Sequence, residues 1–255
     1  MTVSRARSSR PANRRERRLA KQQGENGNVT KLSTSSKQHL TLKDIKPLTD
    51  NQERIFSDYT YNDLLVTGYA GTGKSLCLLY LALNDIINEK LFKRVVIIRS
   101  AVNTRNIGFL PGGEKEKTAV YEAPYKSICS YLFGRGDAYE LLKKNGIIEF
   151  TTTSFLRGET IDDAVVLLEE VQNFSDSEVN TAITRLGENS KLLINGDFRQ
   201  NDLYNKRNEE SCIAQLLNIA KYMDNLSIIE MEIDDIVRSS RVKSWIIARS
   251  KLGLM

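Results

Sequence analysis

Histidine is almost missing from this chain: His39 is the only one in 255 residues. It stands between Gln38 and Leu40, ahead of the first strand-like run, so imidazole catalysis and histidine-built zinc sites are effectively excluded. Cysteine is scarce as well. Cys77, Cys129 and Cys212 are far apart and form no CxxC pair, which removes a disulfide framework and a cysteine zinc site and fits the reduced thiols of a cytoplasmic protein. Long apolar runs are lacking; Leu76–Leu83 is among the longest and is too short to span a bilayer. There is no apolar h-region of a secretory signal, no internal repeat and no Pro/Gly/Ser-rich linker in the middle of the chain. What is present, 40% hydrophobic and 27% charged residues, suits one globular domain with a sizeable core and a tail.

The net charge of +5 is unevenly spread. Residues 1–24 hold eight cations, among them Arg5, Arg14, Arg18 and Lys21, against Glu16 alone. The first 37 residues have no apolar face and contain Pro11, Gly24, Gly27 and a "STSSK" run, so a disordered basic tail is expected, with a single folded domain over 38–255. Such an arm suits salt-sensitive contact with phosphate backbones, and equally a solubilising tail; its Arg- and Ser-rich composition also fits an organelle transit peptide.

Order begins near Leu42. "IKPLTDNQERIF" reads as the start of a short amphipathic helix carrying Ile55 and Phe56. Strands are predicted at Asp63–Thr67, Arg94–Ala101, Ile147–Thr153, Ala164–Glu170, Lys191–Asp197 and Leu226–Glu232. Helices are predicted at Ser75–Ile87, Tyr121–Phe133, Asp137–Asn145 and Val242–Lys251, with another from the capping box Ser175/Glu178 to near Gly187. Strands that are apolar throughout and alternate with helices predict an α/β fold: a parallel sheet with helices on both faces, its ligands at the strands' carboxyl ends.

One of those ends carries "GYAGTGKS", Gly68 to Ser75, the full Walker A pattern between a strand and a helix. Its glycines let backbone N–H groups of Gly68, Tyr69, Ala70, Gly71, Thr72 and Gly73 converge on phosphate oxygens, and the following helix adds its positive end. Lys74 is expected to bridge the β- and γ-phosphates of ATP, and Ser75 to ligate Mg²⁺. A second strand, "AVVLLEEVQN", ends in two carboxylates that are costly unless a cation or water network answers them. Glu169 is the expected metal anchor and Glu170 the group that positions the attacking water. Asp197 and Gln200 in "INGDFRQNDL" leave the sheet where a γ-phosphate would lie.

These stretches, taken in order with "PLTDNQERIF", "IIRSAV", "GFLPGG", "FLRGETIDDAVVLLEEVQN", "TRLGENSKLLINGDFRQNDL" and "DDIVRS", resemble the PhoH-like family over roughly Pro47 to Arg241. The resemblance implies a RecA-like P-loop NTPase core related to superfamily 1 helicases. It places Gln52 at the adenine and puts Glu169, Glu170 and Gln172 on the family's Asp-Glu-Ala-Gln positions. Asp197 and Gln200 fall on the third helicase motif. Arg238 becomes a γ-phosphate contact, and Arg157 and Arg185 fall on further family arginines. Glu169 departs from the expected Asp, and Val171 from Ala. No RNase domain of the kind attached in some longer relatives is expected.

Residues for only one RecA-like half imply that a neighbouring copy completes the site, in a homo-oligomeric ring for which a hexamer is expected, with Arg238 or Arg185 acting in trans. The expected activity is Mg²⁺-dependent ATP hydrolysis coupled to RNA or single-stranded DNA, partly through the basic tail. The alternative is a slow, nucleotide-switched binding ring without unwinding activity. A small-molecule kinase is disfavoured by the acidic pair followed by Gln172. Basic residues at Arg99, Arg105, Lys115 and Lys117 suit either a nucleic-acid channel or an ordinary solvated face.

Overall fold

The computed structural model describes residues 40–100, 114–156, 158, 160–197 and 212–252. The basic tail, Gln200, Arg105 and Arg157 lie outside the described residues, and so do the side chains of Lys115 and Lys117. Helix α1 (Asp50–Tyr59) leads into β1 (Asp63–Gly68), α2 (Lys74–Ile87), β2 (Arg94–Arg99), α3 (Glu114–Phe133), α4 (Ala138–Lys144) and β3 (Ile148–Thr152). Then come β4 (Ala164–Glu169), α5 (Asp176–Ile183), β5 (Lys191–Asn195), α6 (Cys212–Ala220), β6 (Leu226–Met231) and α7 (Ser240–Lys251). The six strands form one all-parallel sheet in the order β3-β2-β4-β5-β1-β6.

The apolar runs have the composition of strands buried on both faces, and they are buried on both faces. On one side Leu64, Val66, Val95, Ile97, Val165, Leu167 and Leu193 meet α1 to α4. On the other Leu65, Val96, Ile98, Val166, Leu168, Leu192 and Ile194 meet α5 and α6. Helix α2 is apolar nearly all round because the rest of its layer closes over it, leaving Leu78, Leu79, Ala82 and Leu83 without solvent contact. The three cysteines are free and buried, and burial pushes the thiol of Cys77 up to about 12, so these are packing residues.

Most predicted elements occur within a residue or two of their expected limits. Helix α3 is longer than its predicted span, beginning at Glu114 rather than Tyr121. The capping box at Ser175 and Glu178 is present, but α5 ends at Ile183 instead of near Gly187. The reason is a competing tertiary pairing: Leu186 forms a parallel bridge with Ile161, and Gly187 N–H donates to the Ile161 carbonyl at 3.0 Å.

Because β1 has β5 on one side and β6 on the other, the loop leaving β1 opens beside the ends of β4 and β5. Far from this loop, α1 is tied to α2 by the Tyr59 hydroxyl, which donates to Asp85 Oδ2 at 3.0 Å, both residues being inaccessible to solvent. Tyr59→Phe removes a bond to a buried carboxylate and is expected to lower unfolding stability by about 1–3 kcal/mol in urea titration, with nucleotide affinity unchanged. Unaltered stability would mean that Asp85 is adequately held without the phenol.

Candidate functional site

The phosphate loop is shaped by three glycines in left-handed backbone, Gly68 at φ 112°, Gly71 at 82° and Gly73 at 85°. A Cβ at Gly68 would stand 2.0 Å from the Met231 carbonyl oxygen, so only glycine lets β1 turn so close to β6. The N-terminus of α2 beyond it has no side-chain cap and no acid in its first turn, leaving its N–H groups for an outside anion. Lys74 is buried under the loop, where its ammonium donates to the carbonyls of Gly68 at 2.6 Å and Tyr69 at 2.8 Å. Burial lowers the Lys74 pKa, while the charges of Asp197, Glu170 and Glu169 work to raise it again. Two of the three ammonium protons are therefore committed to shaping the loop, and one remains for a ligand.

At the end of β4, Glu169 is 2% exposed. Its Oε2 accepts from the Ser75 hydroxyl at 3.1 Å and from Asn195 Nδ2 at 2.9 Å, and the same amide donates to Ser75 Oγ at 2.8 Å. Three strand ends thus meet in one triangle of side chains. Among the described residues, Glu169 Oε1 and Asn195 Oδ1 are buried in this triangle with no hydrogen-bond partner. Burial, chiefly, and the neighbouring Glu170 charge push the Glu169 carboxyl up to about 7, against hydrogen bonds from Asn195 and Ser75 and the charge of Arg99. Arg99 is the register partner of Glu169 on β2 and stacks over the Tyr121 ring at 5.4 Å.

Two buried acceptors beside a hydroxyl form a donor set suited to a small hard cation, supplying two or three protein oxygens and leaving the rest to phosphate and water. No group of three or more His, Cys, Asp or Glu side chains among the described residues makes a metal site of its own, so a nucleotide would have to complete this one. Asn195 is missed by sequence reasoning. Its signal is a polar residue closing the apolar run "KLLIN" immediately before Gly196.

Glu170 follows in left-handed backbone at φ 57°, which turns the chain sharply and separates its carboxylate from that of Glu169. Gln172, 2% exposed, donates through Nε2 to Glu170 Oε2 and accepts the Asp197 N–H at 3.0 Å. It is a clip between the ends of β4 and β5. Asp197 is buried beside it.

Gln52 touches the loop through Nε2, which donates to the Thr72 carbonyl at 2.9 Å, while its Oε1 accepts from Leu48 N–H at 2.8 Å. The Val237 N–H donates to Gly71 O at 3.1 Å, and a Cβ at Gly71 would stand 2.7 Å from Arg238 Cγ. Arg238 therefore lies against the phosphate loop of its own chain. Asp235 holds that strap in place by accepting from Asn51 Nδ2 and Glu232 N–H, each at 2.7 Å. Arg185 lies after α5, its carbonyl accepting from Ile161 N–H at 2.7 Å; no described hydrogen bond or ion pair joins it to the loop.

The Glu169 shift has a stability consequence. A carboxyl raised from about 4.5 to about 7 contributes stability below pH 4.5 that is lost as pH rises through 7, on the order of 3 kcal/mol in all. In EDTA and without nucleotide, the melting temperature is expected to fall between pH 5 and pH 8 by several degrees more than in Glu169→Gln. Equal slopes in calorimetry would show that the carboxyl is already ionised.

The family model "PhoH-like protein" matches residues 44–249. The "PhoH-like protein" of Bacillus subtilis (strain 168) is 35% identical over 211 residues, 82% of this chain and 65% of that one. The "PhoH-like protein" of Mycobacterium leprae (strain TN) is 32% identical over 204 residues, 77% of this chain and 56% of that one. "Protein PhoH" of Escherichia coli (strain K12) is 31% identical over 179 residues, 69% of this chain and 50% of that one. The chain thus spans about half to two thirds of the length of these relatives. Among solved structures, the large terminase of a thermophilic bacteriophage in complex with ADP superposes with a TM-score of 0.49 at 13% identity, over 78% of this chain and 49% of that one, too slight a likeness to carry a function. On the family match and the identity over most of its length, this chain is a member of the PhoH-like protein family.

Proposed function

We propose that the chain is a Mg²⁺-dependent ATPase that works as a ring of identical subunits coupled to RNA or single-stranded DNA. The observation that carries the ATPase reading is the Ser75–Glu169–Asn195 triangle, with its two unpartnered buried oxygens beside a phosphate loop. Ser75 and Glu169 would hold the Mg²⁺, which supplies charge neutralisation at the phosphates. Lys74 offers its remaining proton to a phosphate oxygen from within the loop. Glu170, oriented by the Gln172 amide, takes the proton of the attacking water. Arg238 adds a cation in cis over Gly71, and Arg185 is the arginine left to serve a neighbouring copy. Gln200 is assigned to sensing the γ-phosphate.

A second reading, a slow nucleotide-operated switch without unwinding, draws support from Glu169. This acid is longer than the Asp that the family resemblance implies, and burial pushes its carboxyl up to about 7, so near neutral pH cation uptake is coupled to proton release from part of the population.

Lys74→Ala is expected to abolish both ATP binding and turnover. Glu170→Gln should keep binding and reduce phosphate release by roughly 10²–10⁴-fold; turnover retained in that variant removes Glu170 as the base. Phosphate release measured with RNA, single-stranded DNA and duplex separates the two readings. Stimulation by a single strand, diminished when residues 1–36 are deleted, supports the coupled ATPase. A slow rate indifferent to every nucleic acid supports the switch.

A further inference from the structure

Helix α7 has no buried residue along its twelve positions, although its last turn is bonded to the phosphate loop and its start makes a long, exposed pair with the segment after β6. At its start, Lys243 pairs with Asp234 Oδ1 at 3.8 Å, on the strap that carries Arg238. In its last turn, Ser250 Oγ shares a hydrogen bond of 3.0 Å with the hydroxyl of Tyr69, inside the phosphate loop. Between these contacts the helix presents Trp245, 65% exposed and the only tryptophan of the chain, and Val242 in its first turn and Leu252 just past its end are exposed as well. An exposed aromatic–aliphatic face of this kind on a helix fixed beside the nucleotide site is a surface awaiting a partner.

The charge pattern selects that partner. Helix α7 carries four cations, Arg241, Lys243, Arg249 and Lys251, and no acid. Residues 25–237 carry 24 lysines and arginines against 31 acids, a net −7. The chain's own basic arm, residues 1–24, is repelled by such a helix. A polyanion is drawn to the helix but pushed away by the acidic body behind it, and it leaves Val242 and Leu252 uncovered. A second copy of this chain satisfies both requirements: an acidic body for the cations, and protein surface for the apolar stripe.

We infer that α7 is the subunit-contact helix, seating on the acidic body of the next copy with Trp245 in the buried centre of the contact. The inference rests on the ring reading above and locates its interface. A basic helix on one copy meeting a different, acidic surface on the next is a head-to-tail contact, the kind that closes into rings. It also brings the neighbour against the helix whose last turn is bonded to Tyr69, so subunit contact and the phosphate loop share one mechanical element.

Trp245 reports on this directly. Sedimentation velocity and tryptophan emission, with acrylamide quenching, are followed on the full chain over a wide concentration series, with and without Mg²⁺ and a non-hydrolysable ATP analogue. The expected result is a blue shift and loss of quenching that track the appearance of oligomer. Arg241→Glu combined with Lys251→Glu, and separately raised salt, should each weaken assembly by roughly tenfold or more, with the circular dichroism melt and nucleotide affinity of the monomer retained. Oligomers in which Trp245 stays quenchable overturn the inference and leave the ring reading standing. A monomer under every condition overturns both. An emission shift that appears only on adding single-stranded oligonucleotide overturns it in favour of a nucleic-acid surface.

Discussion

Three neighbouring strand ends share one hydrogen-bonded triangle, and the rest of the site is arranged to hold it. Ser75 arrives from β1 through the phosphate loop, Glu169 from β4 and Asn195 from β5. The parallel sheet makes this meeting possible, since strands that run the same way deliver their carboxyl ends to one edge. Burying a carboxylate and a carboxamide there costs free energy that their mutual hydrogen bonds only partly offset. The uncompensated part is visible as two oxygens without partners and a carboxyl pushed up to about 7. A cation binding at this point would recover what the fold alone leaves unsatisfied.

Around the triangle, separate side chains fix the loop that would hold the phosphates. Lys74 pulls in two loop carbonyls from below. Gln52 holds Thr72 from α1, and the strap after β6 holds Gly71 through Val237. Asp235 joins those two outer supports by bonding Asn51 of α1 and the backbone of its own strap. Burial works to raise its carboxyl, but the hydrogen bonds of this cluster outweigh burial and keep it below the usual range. A second acid, Glu178, does similar work at the ends of β2 and β3. Burial pulls its pKa upward as well, and the bonds it accepts from Ser100, Thr153 and the Ser175 cap together outweigh that pull. Each acid joins backbone or side chains from separate elements.

Much of this was legible in the chain because it depends on local pattern. The glycine loop, the acidic strand end and the Ser175/Glu178 cap are encoded within a few residues, and they occur where pattern places them. What depends on strand order was not legible. Asn195 reads as an ordinary strand exit until β5 is found between β1 and β4, which turns its amide toward Ser75 and Glu169. Nothing local in the sequence places the Arg238 side chain against Gly71. Tyr69 and Ser250 are 181 residues apart in sequence, and no periodicity links them. The end of α5 was misplaced for the same reason: a bridge to Ile161 outcompetes the continuation of the helix.

The same strand order decides what the acid at the end of β4 can reach. Glu169 is one methylene longer than an aspartate, which gives its carboxylate a longer stem with one more rotatable bond. From the last position of a buried strand, Glu169 reaches both Ser75 and Asn195 through Oε2. Glu169 and Asn195 therefore fit as a pair, the amide fixing a longer and otherwise more mobile acid. The acid of β4 is thus held from the adjacent strand β5 and from the start of α2, so one carboxylate oxygen is fixed on two sides despite its long stem.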